Sequence, residues 1–286
     1  MTTQKNFLWP NGSRVAVSVV VNIEEASEMS VARGDKRPDP VDELGVVIKA
    51  PVRNYGNESN YLYGLQVGAD RVFGLIDRYQ IPTTVTAAAQ SLEACPDLAQ
   101  RLGQSHHDVA AHGYRWIHQF HMDEQQEREF IAKATASITQ TTGVKPKGWL
   151  SRYMHTAKTH EILVEQGYLY HMDNYSSEHP FRQRYPKGDI VVVPYALDTN
   201  DMKMWIDPAY TPDQWAKYVC DSLDWMLEEE EQPALLLSIG VHLRIVGRPG
   251  RMAAFRRILD HIMTKKNMVW CATRHDIAHA WSTAHL

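Results

Sequence analysis

Two adjacent glutamates, Glu24 and Glu25, lie at the end of an apolar run, Val15 to Val21. Successive residues of a strand point to opposite faces, so at most one of them can turn into a site there unless the strand has already ended. In an enclosed site such a carboxylate can act as general base toward a water; otherwise the two are a solvated pair opening a loop. His112 and His242 occupy similar positions, in Ala-Ala-His-Gly-Tyr-Arg-Trp and Gly-Val-His-Leu-Arg. An imidazole there could protonate a leaving nitrogen near neutral pH, the alternative being a structural histidine. Arg152 and Arg244 could hold a carboxylate or imide oxygen through paired hydrogen bonds, or serve as salt-bridge partners. Tyr153, Asn200 and Asp201 complete the polar groups that follow apolar runs.

Other spacings suggest chemistry and fall short of it. His275 and His279 are four residues apart, but Asp276 stands where a zinc protease helix needs glutamate, so surface or subunit packing is expected. His118 and His121 read as a site wall or an exposed turn. The stretch Gly247 to Arg251 lacks the spacing and the Lys-Ser/Thr pair of a phosphate loop. There is no Gly-x-Ser-x-Gly elbow and no reactive-cysteine setting, which leaves attack by an activated water.

These residues need a scaffold that gathers several strand ends at one mouth. Short apolar runs start at Val15, Thr83, Val109, Tyr168, Ile190, Leu235 and Met268. Helix-compatible stretches separate them: Tyr63–Tyr79, Asp123–Thr141, Thr156–Gln166, Pro212–Glu231, Gly250–Thr264 and Arg274–Ser282. Continuous apolar strands alternating with helices predict an α/β fold with a parallel sheet, a (β/α) barrel or a distorted version of one. Catalytic groups of such barrels gather at the carboxyl ends of the strands, where the residues named above fall. Residues 25–60 form a long aperiodic insertion, expected to be a lid, an arm or a site wall, and 174–187 reads as a second site-forming loop.

The chain has 286 residues, 44% of them hydrophobic, and a formal net charge of −4. One large domain over 1–286 accommodates this length. The charge balance gives no footprint for nucleic acid or an anionic membrane. Three scattered cysteines suit a reducing compartment, and neither a signal peptide nor a membrane span is expected, so the location is predicted to be cytoplasmic. The acidic run Glu228 to Glu231 reads as a solvated helix face.

The chain resembles the polysaccharide deacetylase superfamily, in its branch of metal-independent allantoinases and cyclic imide hydrolases. Four strings carry the resemblance: Asn22 to Glu25, His112 to Ile117, Leu197 to Met202 and Gly240 to Arg251. It implies a distorted (β/α) barrel of the polysaccharide deacetylase type, and often a homotetramer. Deacetylases of the superfamily carry an acid pair at the first strand, one a base and one a metal ligand; Glu24 and Glu25 stand at those places. Their second motif supplies two metal histidines. His112 matches the first, but Trp116 occupies the second, so a divalent metal such as zinc would have only Glu25 and His112. A catalytic zinc usually needs three protein ligands, so the resemblance implies no required cofactor and leaves Trp116 as a flat surface for a planar ring. His242 matches the catalytic acid. The implied function is a hydrolase that opens a cyclic imide or ureide at an amide C–N bond, with a small cyclic molecule as partner. Ile23, Ala26 and Tyr153 to His155 depart from the allantoinase pattern and point to a ring related to allantoin. The alternative is a metal-dependent N-deacetylase of a glycan or small N-acyl compound.

Overall fold

The computed structural model describes residues 7–229 and 234–285. Met1 to Asn6 and the last two residues of the acidic run, Glu230 and Glu231, lie outside the described residues. Among these residues nine strands form one sheet: β1 (Val15–Ile23), β2 (Thr83–Ala87), β3 (Asp108–Ala111), β4 (Gly148–Trp149), β5 (Tyr170–His171), β6 (Phe181–Tyr185), β7 (Gly188–Val192), β8 (Leu235–His242) and β9 (Val269–Cys271). The order is β6-β7-β5-β4-β3-β2-β1-β8, all parallel except the β6–β7 hairpin. One edge of β1 is shared: Val15 to Val17 pair with β9, and Val19 to Ile23 pair with β2. Helices pack outside this sheet, which curves into a distorted (β/α) barrel, as expected.

The register of β1 decides what enters the barrel. Val15, Val17, Val19, Val21 and Ile23 pack outward in the helix-facing core, whereas Ala16 and Val20 pack inward with Tyr170, Met172 and Tyr195. The inward parity continues through Asn22 to Glu24 and sends Glu25 outward. On β8 the odd-numbered Leu235, Leu237, Ile239 and Val241 likewise pack outward. His242 shares the inward face with Leu236 and Ser238, and is the register partner of Asn22. Ala110 places His112 on the inner side of β3 by the same alternation.

Three local readings change. The segment 174–187 is not one loop, because Phe181–Tyr185 forms the antiparallel edge strand β6. The helix expected from Tyr63 starts at Tyr55, capped by the Asn54 side chain on the amide of Asn57, and reaches Tyr79 through a wider turn at Gly64–Gly68. Helices Ala89–Ala94 and Pro96–Gly103 follow β2, where none was predicted. The stretch from Glu25 to Asn54 contains one short 3-10 turn, Val31–Arg33, and is fixed by charge instead: Asp35 pairs with Arg115, and Asp39 with Arg152.

Candidate active site

A cavity of about 210 Å³ opens at the carboxyl ends of the strands. At roughly 30 Å³ per water that is room for about seven, the scale of one small ring. Its polar wall includes Asn22, Glu24, His112, Asn200 and His242; Trp116, Tyr153, Tyr175, Leu197 and Ile206 supply much of the rest.

Glu24 sits at the centre, 2% exposed. Its Oε1 is 3.3 Å from Nε2 of His242 and 3.4 Å from Nε2 of His112, and its Oε2 accepts from Nη1 of Arg244 at 2.8 Å. Burial would raise this carboxyl, but the His242 and Arg244 charges prevail and hold it well below the usual range. His242 donates from Nδ1 to Asp201 Oδ1 at 2.7 Å, and its backbone N–H donates to Asp201 Oδ2 at 2.8 Å. Burial alone would lower this imidazole; the Glu24 and Asp201 carboxylates override it and raise the pKa to about 10. The resting pair is therefore a carboxylate against an imidazolium.

His112 is constrained on both ring nitrogens. Nδ1 lies 2.6 Å from the Leu150 carbonyl oxygen, which can only accept, so Nδ1 carries the proton. Nε2 then accepts from the Trp116 indole N–H at 3.0 Å. The lone pair that a metal would use is engaged by the side chain standing in the second histidine's place.

Four expected roles change with the geometry. Glu25 does not line the cavity: its Oε2 accepts from the amide of Glu24 (3.0 Å) and its Oε1 from the amide of Arg244 (3.1 Å), behind the strand end. Gly64 makes that nest, because a Cβ there would overlap the Glu25 carboxylate. Burial, partly offset by Arg244, raises Glu25 to about 7. Among the described residues, no group of three close His, Cys, Asp or Glu ligands includes Glu25 and His112. Arg244 likewise lies outside the lining, stacked 4.3 Å from the Tyr61 ring centroid, and sets the charge and position of Glu24. Asp201 is fully buried and orients His242 instead of touching the cavity. Arg152 lines the wall, but both of its Nη atoms are 2.8 Å from Asp39, and Nη1 also donates to the Trp116 carbonyl, so its fork is already filled.

Trp116 is 1% exposed, with the Arg152 guanidinium 3.7 Å from its ring centroid. Its ring is a packed layer between the insertion and the barrel, with little face left for a ligand. Trp116→Phe keeps that layer and deletes the N–H to His112. Turnover is expected to fall roughly tenfold or more while the melting temperature drops only a few degrees, the worth of one hydrogen bond of about 1 kcal/mol. Thermal melts beside steady-state kinetics check this; parallel collapse of both would make the indole purely structural.

Several lining residues escaped the sequence reading as site groups, Tyr195, Ser151 and Lys203 among them. Tyr195 receives N–H donors from Asn22 and Asn200, both at 3.1 Å, which leaves its own proton free for the cavity. Gly240 makes room for that hydroxyl, since a Cβ would collide with it. Ser151 and Lys203 also line the wall. Backbone strain marks the same region. Ala26, just after the glutamate pair, and Tyr153 both hold positive φ, at 63° and 52°.

A barrel that holds an ionised carboxylate, an imidazolium and a small desolvated cavity at one mouth defines a hydrolase-type site of the deacetylase class. Comparison with known proteins agrees. The polysaccharide deacetylase family model matches residues 63–171. A Schizosaccharomyces pombe protein assigned to the polysaccharide deacetylases is 32% identical over 97% of this chain and 93% of its own length. Two solved structures superpose closely. One, from Pseudomonas aeruginosa PAO1 and described as a polysaccharide deacetylase, has 35% identity and a TM-score of 0.91 over 97% of this chain and 94% of that one. The other, PuuE allantoinase, has 34% identity and a TM-score of 0.92 over 97% of this chain and 93% of that one. This chain belongs to the polysaccharide deacetylase family, a family of hydrolases.

Proposed function

We propose that the protein opens the ring of a small cyclic imide or ureide by adding water across an amide C–N bond, without a metal at the barrel mouth. The carrying observation is the Glu24–His242–Asp201 chain at the wall of a cavity sized for one ring. The likeness to an allantoinase supports the reading. Arg244 and His242 supply the positive charge beside Glu24, while the Trp116 indole engages His112.

In this mechanism Glu24 takes a proton from water as its oxygen bonds to the ring carbonyl carbon, and the carbonyl electron pair moves onto oxygen. The Tyr195 hydroxyl, its proton free, donates to that oxyanion. The C=O then re-forms as the C–N bond breaks, and the nitrogen takes the proton of His242 Nε2. Glu24 returns its proton to Nε2 across 3.3 Å, which resets the pair. The product carries a new carboxyl and a freed N–H on one open chain.

Succinimide, dihydrouracil, hydantoin and allantoin, offered after exhaustive chelation, test the reading by following ring opening. Turnover of at least one is expected. Failure of all four, together with metal-dependent release of acetate from an N-acetyl compound, would replace it with the deacetylase reading that several relatives' names favour. Tyr195→Phe should lower kcat by about 100-fold or more, the usual effect of removing one oxyanion donor. It should also cost about 1–3 kcal/mol of stability, because the Asn22 and Asn200 amides lose their acceptor. A variant with unchanged kcat would remove Tyr195 from the mechanism.

A further inference from the structure

We propose that His155, His160 and Asp173 form a divalent-metal site of the zinc type, outside the catalytic cavity and separate from any metal chemistry at Glu24. One ligand atom from each lies within 4.8 Å of the other two. Tetrahedral zinc, with bonds of about 2.0–2.2 Å, needs ligand atoms roughly 3.4 Å apart, a gap that small side-chain rotations close. The donors come from three separate places: the loop after β4, the helix Thr159–Glu165 and the residues just past β5. Two imidazoles and one carboxylate suit zinc, cobalt or nickel better than calcium or magnesium, which prefer oxygen donors throughout.

The surroundings hold each donor in a ligating pose. His155 Nδ1 lies 2.9 Å from the Thr156 carbonyl oxygen, which fixes the proton on Nδ1 and leaves the Nε2 lone pair available. His160 stacks on His171 at 3.8 Å between centroids and 13° between planes. His171 is itself tied to Gln183 and to the Asp173 amide, so the stack is anchored. Asp173 receives the Ser151 amide at 2.6 Å on Oδ1 and the Ser151 hydroxyl at 2.8 Å on Oδ2. Such outer contacts orient metal ligands in known sites. His160 Nε2 and Asp173 Oδ2 already lie within hydrogen-bond distance, at 3.2 Å. The His160 side chain is 11% exposed, which gives an ion a way in, and water would complete the coordination.

The site has a consequence for the catalytic cavity. Ser151, which grips Asp173, is followed by Arg152 and by Tyr153 with its positive φ; all three line the cavity wall. An ion on His155, His160 and Asp173 would brace that wall from behind. Zinc found in the purified protein would then say nothing about a catalytic metal.

The test is titration of the chelated protein with zinc chloride alone, followed by calorimetry and by thermal melting. One zinc per chain, micromolar or tighter, with a rise in melting temperature, is expected. His155→Ala and, independently, His155→Gln should weaken it by at least about 100-fold. His112→Ala should leave the stoichiometry unchanged, which distinguishes this site from one at the barrel mouth. Circular dichroism confirms that each variant is folded, and cobalt(II) substitution should show the visible bands of a tetrahedral nitrogen and oxygen site. Absence of saturable binding, survival of binding in both His155 variants, or its loss in His112→Ala would overturn the proposal.

Discussion

Glu24→Gln is expected to reduce ring opening by about 10⁴-fold, the upper end of what a positioned general base contributes. The amide is nearly isosteric, yet it cannot accept the proton of the attacking water, and it no longer opposes two cations. Arg244, 1% exposed, loses its 2.8 Å carboxylate contact, and His242 loses the larger of the two charge effects that stabilise its imidazolium. Breaking a buried ion pair from one side costs about 3–5 kcal/mol, so a clear fall in melting temperature should accompany the lost activity. Glu25→Gln separates the two carboxylates. There the amide nitrogen must face one of the backbone N–H donors of Glu24 and Arg244, so stability suffers while the proposed base remains. Steady-state kinetics of both variants decides the assignment. If Glu24→Gln keeps activity within about tenfold of the wild type and Glu25→Gln does not, the roles are reversed.

The sequence made the strand ends visible but not which glutamate turns inward, and β1 shows why. All nine of its residues are buried, because helices cover one face and the barrel interior fills the other. A strand buried on both sides has no polar alternation from which to read parity. Only the small Ala16 and Ser18 hint at the inner face, and they became informative once their neighbours were known. The short strand β4, only two residues, carries too little pattern to stand out, whereas β5, equally short, lies within the apolar run that starts at Tyr168. β6 has charged residues at Arg182 and Arg184 because it is an edge, and so it read as loop. The roles of Arg152 and Asp201 were hidden for another reason. Asp39 lies 113 residues from Arg152, and His242 lies 41 residues from Asp201, so no local spacing couples them. A reading that matched the insertion's acids Asp35 and Asp39 against the arginines at the strand ends would have found the clamp. Tyr195 was visible only as the last residue of an apolar run. Its role follows from Gly240 of β8 lying directly against its hydroxyl and from the Asn22 and Asn200 amides that donate to it, relations that exist only in three dimensions.

The pH profile carries the second large effect. His242 titrates at about 10, because Glu24 and Asp201 outweigh the effect of burial, and the mechanism uses its protonated form. Glu24 is held well below the ordinary carboxylate range, so both groups stay in their working states through neutral pH. Turnover should therefore be flat across neutrality and fall as pH rises through about 10. Above neutrality, where Glu25 has already titrated, stability follows the same proton. A histidine whose folded pKa lies above the ordinary value of about 6.5 binds more protons folded than unfolded between the two values. Its stabilisation is complete below the unfolded value and is lost as pH climbs to about 10, on the order of 5 kcal/mol. Asp201→Asn removes one of the two anions and, whichever way the amide turns, sets its NH₂ against His242 Nδ1–H or against the backbone N–H groups of His242 and Val246. The alkaline limb should move down by about one unit or more, toward neutrality, with kcat on the plateau reduced as well. Rate profiles and pH-dependent melts of the wild type and Asp201→Asn measure both shifts. A wild-type rate that instead rises with pH through the ordinary histidine value would mean that His242 works neutral, as the acceptor of water's proton, and that Glu24 serves to orient it.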